Sequence, residues 1–247
     1  MRLRHELQKR ELDPFINRTD FWWMAWKESP TVFVNNWNPW CNANALLCYM
    51  LLENDRDKLA KADMGEFVAK LYIGNGYAVN FADASAHVSN YMALVYRCGK
   101  ALGSREMMDM AVDCFKEKPE SVPSVWLDTY KQIEALKVLK EMSQAKGGYK
   151  ADAFTWYPQT EFCYMRNTEA FFAGKGGYND ESHNHNDIGS FVLYFDNTPI
   201  MIDAGVGTYT RQTFSSERYS IWTMQGNYHN IPMINGVPEK ITSIRYP

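Results

Sequence analysis

The hydrophobic period of this chain changes once along its length, and that change limits what it can fold into. From residue 39 to about 145, apolar side chains recur at intervals of three and four. The run "PWCNANALLCYMLLEN" opens with Pro39, which suits a first helical turn. It sets Ala43, Leu46, Leu47, Met50 and Leu51 on one helical face. "DKLAKADMGEFVAKLYI", "SAHVSNYMALVYRCGKAL", "REMMDMAVDCFKE" and "VWLDTYKQIEALKVLKEM" repeat the pattern, with short Gly, Asn or Pro breaks between them. Successive helices on short connections imply antiparallel hairpins. From about residue 152 the pattern becomes short aromatic and β-branched runs between turn residues. "FVLYF-DNT-PIMID" reads as a hairpin turning at Asp196-Asn197. The expected class is therefore α+β, with a helical part over 1–150 and a β-rich part over 151–247.

Composition narrows the partners. A net charge of −3 gives no global attraction to nucleic acid or to an anionic membrane, so an acidic ligand needs a local basic pocket. No segment approaches the roughly 20 apolar residues that span a bilayer. The five cysteines are widely spaced with no CxxC, which fits buried free thiols better than a disulfide framework. Eight Trp and 15 Tyr suit a large core, and equally a cleft that stacks on sugars or bases. The start, "MRLRHELQKRELDPF", has no apolar stretch of the secretory kind and reads as a charged helix entered midway. The end stops within strand and turn material, so a fragment of a longer protein is expected.

The chemistry concentrates in "ESHNHNDIGSF", residues 181–191. On an extended strand His183 and His185 point to one face, about 6–7 Å apart. Asp203, in "MIDAG", returns alongside them after the hairpin, and His229 lies in "GNYHNIP". His185, Asp203 and His229 would give two imidazoles and one carboxylate, a set suited to zinc without excluding manganese or another divalent ion. Asp187 can replace Asp203 or orient an imidazole from behind. The same run also fits a hydrogen-bonded turn with His229 on the surface, and spacing does not choose between them. Met107, Met108 and Met110 read as core filler rather than a metal box.

The string "FFAGKGGYNDESHNHNDIGSFVLYFDNTPIMIDAGVGTYT…SSERYSIWTMQGNYHNIPMINGV", with HxHxD, IDAG and YHN in order, resembles the C-terminal core of the heparinase II/III-like polysaccharide lyases. The resemblance covers residues 165–238. It implies an incomplete α/α toroid followed by an antiparallel β-sandwich domain, of which this chain would hold a part. It implies cleavage of an acidic, uronic-acid-containing glycan, heparan-like or alginate-like, by β-elimination, in the periplasm or outside the cell. It makes His183 catalytic, and makes His185, Asp203 and His229 the ligands of a mainly structural metal, usually zinc. It places a charge-neutralising asparagine at Asn36, with Asn35 as alternative, and a proton-donating tyrosine at Tyr91, with Tyr96 as alternative. Where some relatives carry histidine, this chain has Trp37, which fits the heparan-lyase branch.

Arg166, Lys175, Arg211 and Arg218 lie near the histidine motif in sequence and are candidates for substrate sulfate or carboxylate groups. Trp37, Trp40 and Trp222 are candidate stacking surfaces. Two other functions fit the same residues: a non-catalytic carbohydrate-binding accessory protein, and a metal-dependent glycan hydrolase that activates water at the cluster.

Overall fold

The computed structural model describes residues 5–6, 8–14, 65–88, 92–119, 129–158, 160–179, 183–237 and 239. The chain divides into two compact units. One contains residues 1–69 and 90–150, the other 70–89 and 151–247. The unit boundary at 150/151 falls where the hydrophobic period changes. Residues 70–89, which the periodicity puts with the helices, belong instead to the β-rich unit.

In the first unit, α2 (Met92–Leu102), α3 (Arg105–Glu117) and α4 (Thr129–Gln144) pack as neighbours, following α1 (Gly65–Leu71) in the chain. The buried faces carry Met92, Val95, Tyr96 and Cys98 on α2, Met107, Met110, Ala111 and Cys114 on α3, and Ala135, Val138 and Met142 on α4. Met107 and Met110 are core residues, as their helical spacing predicts, and Met108 is half-buried. Ser104 caps α3 by accepting from the Met107 N–H at 3.3 Å, satisfying one of the orphan donors of a first helical turn. Gly99 lets α2 and α3 approach closely, because a Cβ there would lie 2.8 Å from the Met107 Cβ. Consecutive packed helices are the local geometry that a toroid repeats. A ring is not displayed by the described residues.

The second unit opens with a hairpin where the sequence reading carries a helix through Ile73. The helix ends at Leu71, and β1 (Tyr72–Gly74) pairs antiparallel with β2 (Tyr77–Ala78). Asn75 and Gly76 form the turn with φ of 51° and 76°, the left-handed pair that an Asn-Gly hairpin favours. Among the described residues, the remaining strands form one five-stranded antiparallel sheet in chain order: β3 (Phe154–Tyr157), β4 (Phe162–Arg166), β5 (Ala170–Lys175), β6 (Phe191–Phe195) and β7 (Thr198–Met201). The β6–β7 turn falls at Asp196-Asn197, with φ of 47° and 54°, as the sequence predicts. Pro199 sits on the edge strand β7, where a missing N–H is tolerated.

Strand alternation gives the sheet two faces of different fate. Tyr164, Ala173 and Val192 lie in register across β4, β5 and β6, with Phe171 opposite Tyr194. These pack against Ile73, Val79 and Phe81 from the hairpin segment to form a core. Tyr164 to Phe171 and Phe171 to Tyr194 are ring contacts within it, at 6.3 and 6.4 Å between centroids. The opposite face is just as apolar. Phe154, Met165, Phe172, Leu193 and Met201 form one row across all five strands. Of these Phe154, Met165 and Met201 are exposed, as is Trp156 in the neighbouring row.

The connection between β5 and β6 carries the histidine motif and is fastened at its C-terminal end. Lys175, the last residue of β5, donates through Nζ to Asp187 at 2.5 Å, and both side chains are buried. The Gly189 N–H donates to the Lys175 carbonyl at 2.8 Å, and the Lys175 N–H to the Ser190 carbonyl at 2.9 Å. From the far side, the Asn186 N–H reaches the Met224 carbonyl at 3.0 Å.

Removing one member of a buried ion pair strands the other charge. Lys175→Met is expected to lower stability by about 3–5 kcal/mol, and Lys175→Met with Asp187→Leu to recover most of that loss. Urea denaturation of both variants checks this, and equal destabilisation in the two would contradict it. The exposed apolar row predicts that the chain binds an apolar dye such as ANS. Serine at Phe154, Trp156 and Met165 together should lower the dye fluorescence several-fold without changing the far-UV circular dichroism.

Candidate metal and proton-transfer site

His183 and His185 do not lie on a strand. Residues 183–190 are turn and irregular backbone, and β6 begins only at Phe191. His183 has φ = 61°, in the left-handed region, so the two imidazoles are not related by a strand's simple alternation. They meet instead on one carboxylate, that of Asp83, which follows Ala82 at φ = 56° beyond the β1–β2 hairpin.

Asp83 is the centre of the arrangement. Its Oδ2 lies 2.6 Å from His183 Nδ1 and accepts from the Tyr209 hydroxyl at 3.0 Å. Its Oδ1 lies 3.0 Å from His185 Nε2 and accepts from Arg218 Nη2 at 2.7 Å. Burial alone would raise this carboxyl's pKa. The hydrogen bonds from His185, His183 and Arg218, with the guanidinium charge, outweigh that and hold it well below the usual carboxylate range. Asp83 is therefore ionised at neutral pH.

Behind His185 lies a second group. His185, Asp203 and His229 are all buried, and each offers one ligand atom within 4.8 Å of the other two. Asp203 follows β7 by two residues, and its Oδ2 is 2.9 Å from His229 Nδ1. Burial disfavours the charged form of His229, but the Asp203 carboxylate more than compensates and raises its pKa. Asp203 is itself fixed, its Oδ1 accepting from the Gly205 N–H at 2.8 Å and its carbonyl from Asn80 Nδ2 at 3.3 Å. Two ring nitrogens here, His185 Nδ1 and His229 Nε2, are buried without a hydrogen-bond partner. An unsatisfied buried polar atom costs about 1–3 kcal/mol. Two such nitrogens beside a buried carboxylate fit a divalent cation of the borderline-soft kind.

The two imidazoles differ in access. The His185 side chain is fully buried, whereas that of His183 is 23% exposed. Phe214 stands edge-on to the His183 ring at 6.4 Å, and Tyr209 is 5.2 Å from Phe214. Tyr209 and Phe214 are both exposed.

Three of the four candidate cations are committed elsewhere. Lys175 is buried on Asp187 and so is not presented to a substrate. Arg166 donates to the Tyr72 and Lys70 carbonyls at 3.0 Å each and lies over the Phe171 ring at 4.5 Å, clamping the hairpin segment to the sheet. Arg218 is buried and donates to the Asn184 and Thr213 carbonyls as well as to Asp83. It holds the histidine loop rather than reaching outward. Arg211 remains exposed. The group that comes together with His185 and His229 contains Asp203, while Asp187 places Oδ1 on Lys175 and keeps Oδ2 buried without a hydrogen-bond partner. Trp222 is exposed and packs edge-on against Tyr228 at 5.3 Å. Tyr96 is a buried residue of α2. Asn36, Trp37 and Tyr91, with the alternatives Asn35 and Trp40, lie outside the described residues.

Sequence reasoning missed Asp83 and Tyr209. Asp83 stands 100 positions from His183, in a polar loop with no motif of its own. The one available signal was the Asn-Gly turn upstream, which takes residues 70–89 out of the helical part.

No curated protein matches the chain. Among solved structures, a heparinase III gene product is similar at 13% identity and a TM-score of 0.32, over 88% of this chain and 38% of that one. A crystal structure of heparinase III is similar at 17% identity and a TM-score of 0.33, over 80% of this chain and 38% of that one. The chain thus spans less than half the length of these proteins. Residues 150–238 match the family described as heparinase II/III-like, C-terminal. That segment carries His183, His185, Asp203 and His229, and over it the chain is similar to the heparinase II/III-like family.

Proposed function

We propose that the chain is part of a polysaccharide lyase that cleaves an acidic, uronic-acid-containing glycan by β-elimination. The observation that carries this reading is the divergence of two histidines two residues apart. His183 is partly open and backed by an ionised carboxylate. His185 is sealed into a group with Asp203 and His229. A hydrolase that activates water on a metal needs an open coordination position reached by solvent. Burial of all three ligand residues favours a structural ion instead.

In this reading His183 removes the proton at C5 of the uronate. The electron pair forms the C4–C5 double bond, and the bond from C4 to the leaving glycosidic oxygen breaks. That oxygen takes a proton from an acid, the role proposed for Tyr91. The C5 proton is hard to remove because the adjacent carboxylate is already negative. Asn36 is proposed to offset that charge through amide hydrogen bonds. For substrates of the opposite C5 configuration, Tyr91 serves as both base and acid. His185, Asp203 and His229 would hold a divalent cation, proposed as zinc, which when bound crosslinks the histidine loop to the segments carrying Asp203 and His229. Arg211 is the exposed cation proposed to meet substrate sulfate or carboxylate. Such glycans lie outside the cell or in the bacterial envelope, and the protein is proposed to work there.

His183→Ala should lower turnover by roughly 10²–10⁴-fold, the usual contribution of a positioned base, with the fold intact. Ultraviolet absorbance of unsaturated product ends, with heparan sulfate, alginate, hyaluronan and chondroitin as substrates, measures it. Near-wild-type turnover would reject the base assignment, and saturated ends would indicate hydrolysis. Elemental analysis should find about one divalent ion per chain, lost in His229→Ala. Its absence from the purified wild type would reject the metal.

A further inference from the structure

The Asp83 carboxylate has a consequence that resemblance to the family does not supply. The Arg218 guanidinium donates to Oδ1 and the Tyr209 hydroxyl to Oδ2, so both oxygens serve as acceptors and an imidazole nitrogen that meets either of them donates. His183 presents Nδ1 to it at 2.6 Å, and His185 presents Nε2 at 3.0 Å. Each of these nitrogens therefore carries its hydrogen. In a neutral imidazole the other nitrogen then holds the lone pair. For His183 that is Nε2, on the ring that is partly open to solvent. For His185 it is Nδ1, the buried nitrogen with no hydrogen-bond partner.

We infer that Asp83 is a positioning residue that fixes the two imidazoles in opposite tautomers, so that His183 offers Nε2 to a substrate proton and His185 offers Nδ1 to the Asp203–His229 group. This rests on the lyase reading for the role of His183, but the tautomers themselves do not. Arg218 and Tyr209 complete the shell. Arg218 fills the rest of Oδ1 at 2.7 Å and Tyr209 the rest of Oδ2 at 3.0 Å. Neither oxygen can then swing toward the other's imidazole without breaking a second bond. Arg218 also holds the Asn184 carbonyl at 2.9 Å, fixing the residue between the two histidines. One carboxylate thereby sets the registration of three consecutive residues.

The test is nitrogen-15 NMR of the histidine rings in the full chain, at about pH 8.5, two units above the ordinary imidazole pKa. Spectra are taken with and without added Zn²⁺. The expected result is His183 protonated at Nδ1 and His185 protonated at Nε2, with zinc shifting the His185 Nδ1 resonance. The opposite tautomer at either ring in the wild type overturns the inference, and this measurement does not depend on any variant folding. Asp83→Asn, whose amide offers one acceptor oxygen and an N–H₂ donor, should release at least one ring to a tautomer mixture. It should weaken zinc binding roughly 10–100-fold. In a turnover assay it should lower kcat by about 10²-fold or more while KM changes little. Unchanged tautomers in that variant would also overturn the inference. Stated tautomers in a wild type that turns over no uronate glycan would sink the lyase reading and uphold the assignment to Asp83.

Discussion

The arrangement at this site depends on one carboxylate. Asp83 has two oxygens and receives two donors on each, from His183, Tyr209, His185 and Arg218. That nearly exhausts its lone-pair directions. A buried charge is tolerable only when it is paired and its remaining hydrogen-bond sites are filled. The same four bonds join four stretches of chain that would otherwise be independent: the loop after the first hairpin, the histidine loop, and the segments around Tyr209 and Arg218. Each donor alone is worth about 1.5–3 kcal/mol when its partner is charged. Their combined effect is to give irregular backbone a definite shape.

The sheet supplies the rigid base for that shape. β5 and β6 are antiparallel neighbours, yet residues 176–190 between them are far longer than a hairpin requires. Long connections of this kind carry function when a scaffold fixes their ends. Here the scaffold is specific. The Lys175–Asp187 pair and the Gly189–Lys175 and Lys175–Ser190 backbone bonds close the loop's base against β5. Arg166, from β4, holds the Lys70 and Tyr72 carbonyls. It thereby sets where the hairpin segment begins, and the loop bearing Asp83 follows from that segment. Cations that proximity in sequence suggests for substrate are used to build the site instead.

How much could be read in advance follows from the range of each interaction. The helices α3 and α4, the β6–β7 hairpin and the change of character near residue 150 rest on local periodicity and turn chemistry, and these were legible. The fold brings His185, Asp203 and His229 together, whereas spacing in the sequence left Asp187 open beside Asp203. The extended conformation expected at His183 was not found. Nothing in "ESHNHND" announces a left-handed residue, and the conformation is held by a partner 100 positions away. Residues 70–89 were misplaced for a different reason. Their apolar spacing continues that of the preceding helix, and only Asn75-Gly76 marks the reversal. The roles of Lys175, Arg166 and Arg218 were obscured because sequence gives charge but not burial.

The left-handed backbone at His183 has a cost and a use. A non-glycine residue in that region loses roughly 1–2 kcal/mol. A straight strand would have avoided this, but it would have pointed both rings to one face and given them one environment. An imidazole that must exchange protons needs an open nitrogen, while one that holds an ion needs a dry and fixed one. Rotating the chain at His183 leaves that ring partly open while His185 is sealed, with the short contact to Asp83 offsetting the strain. The difference in exposure thus arises in the backbone, before any difference in residue type, and it explains how two identical side chains two residues apart come to sit in unlike surroundings.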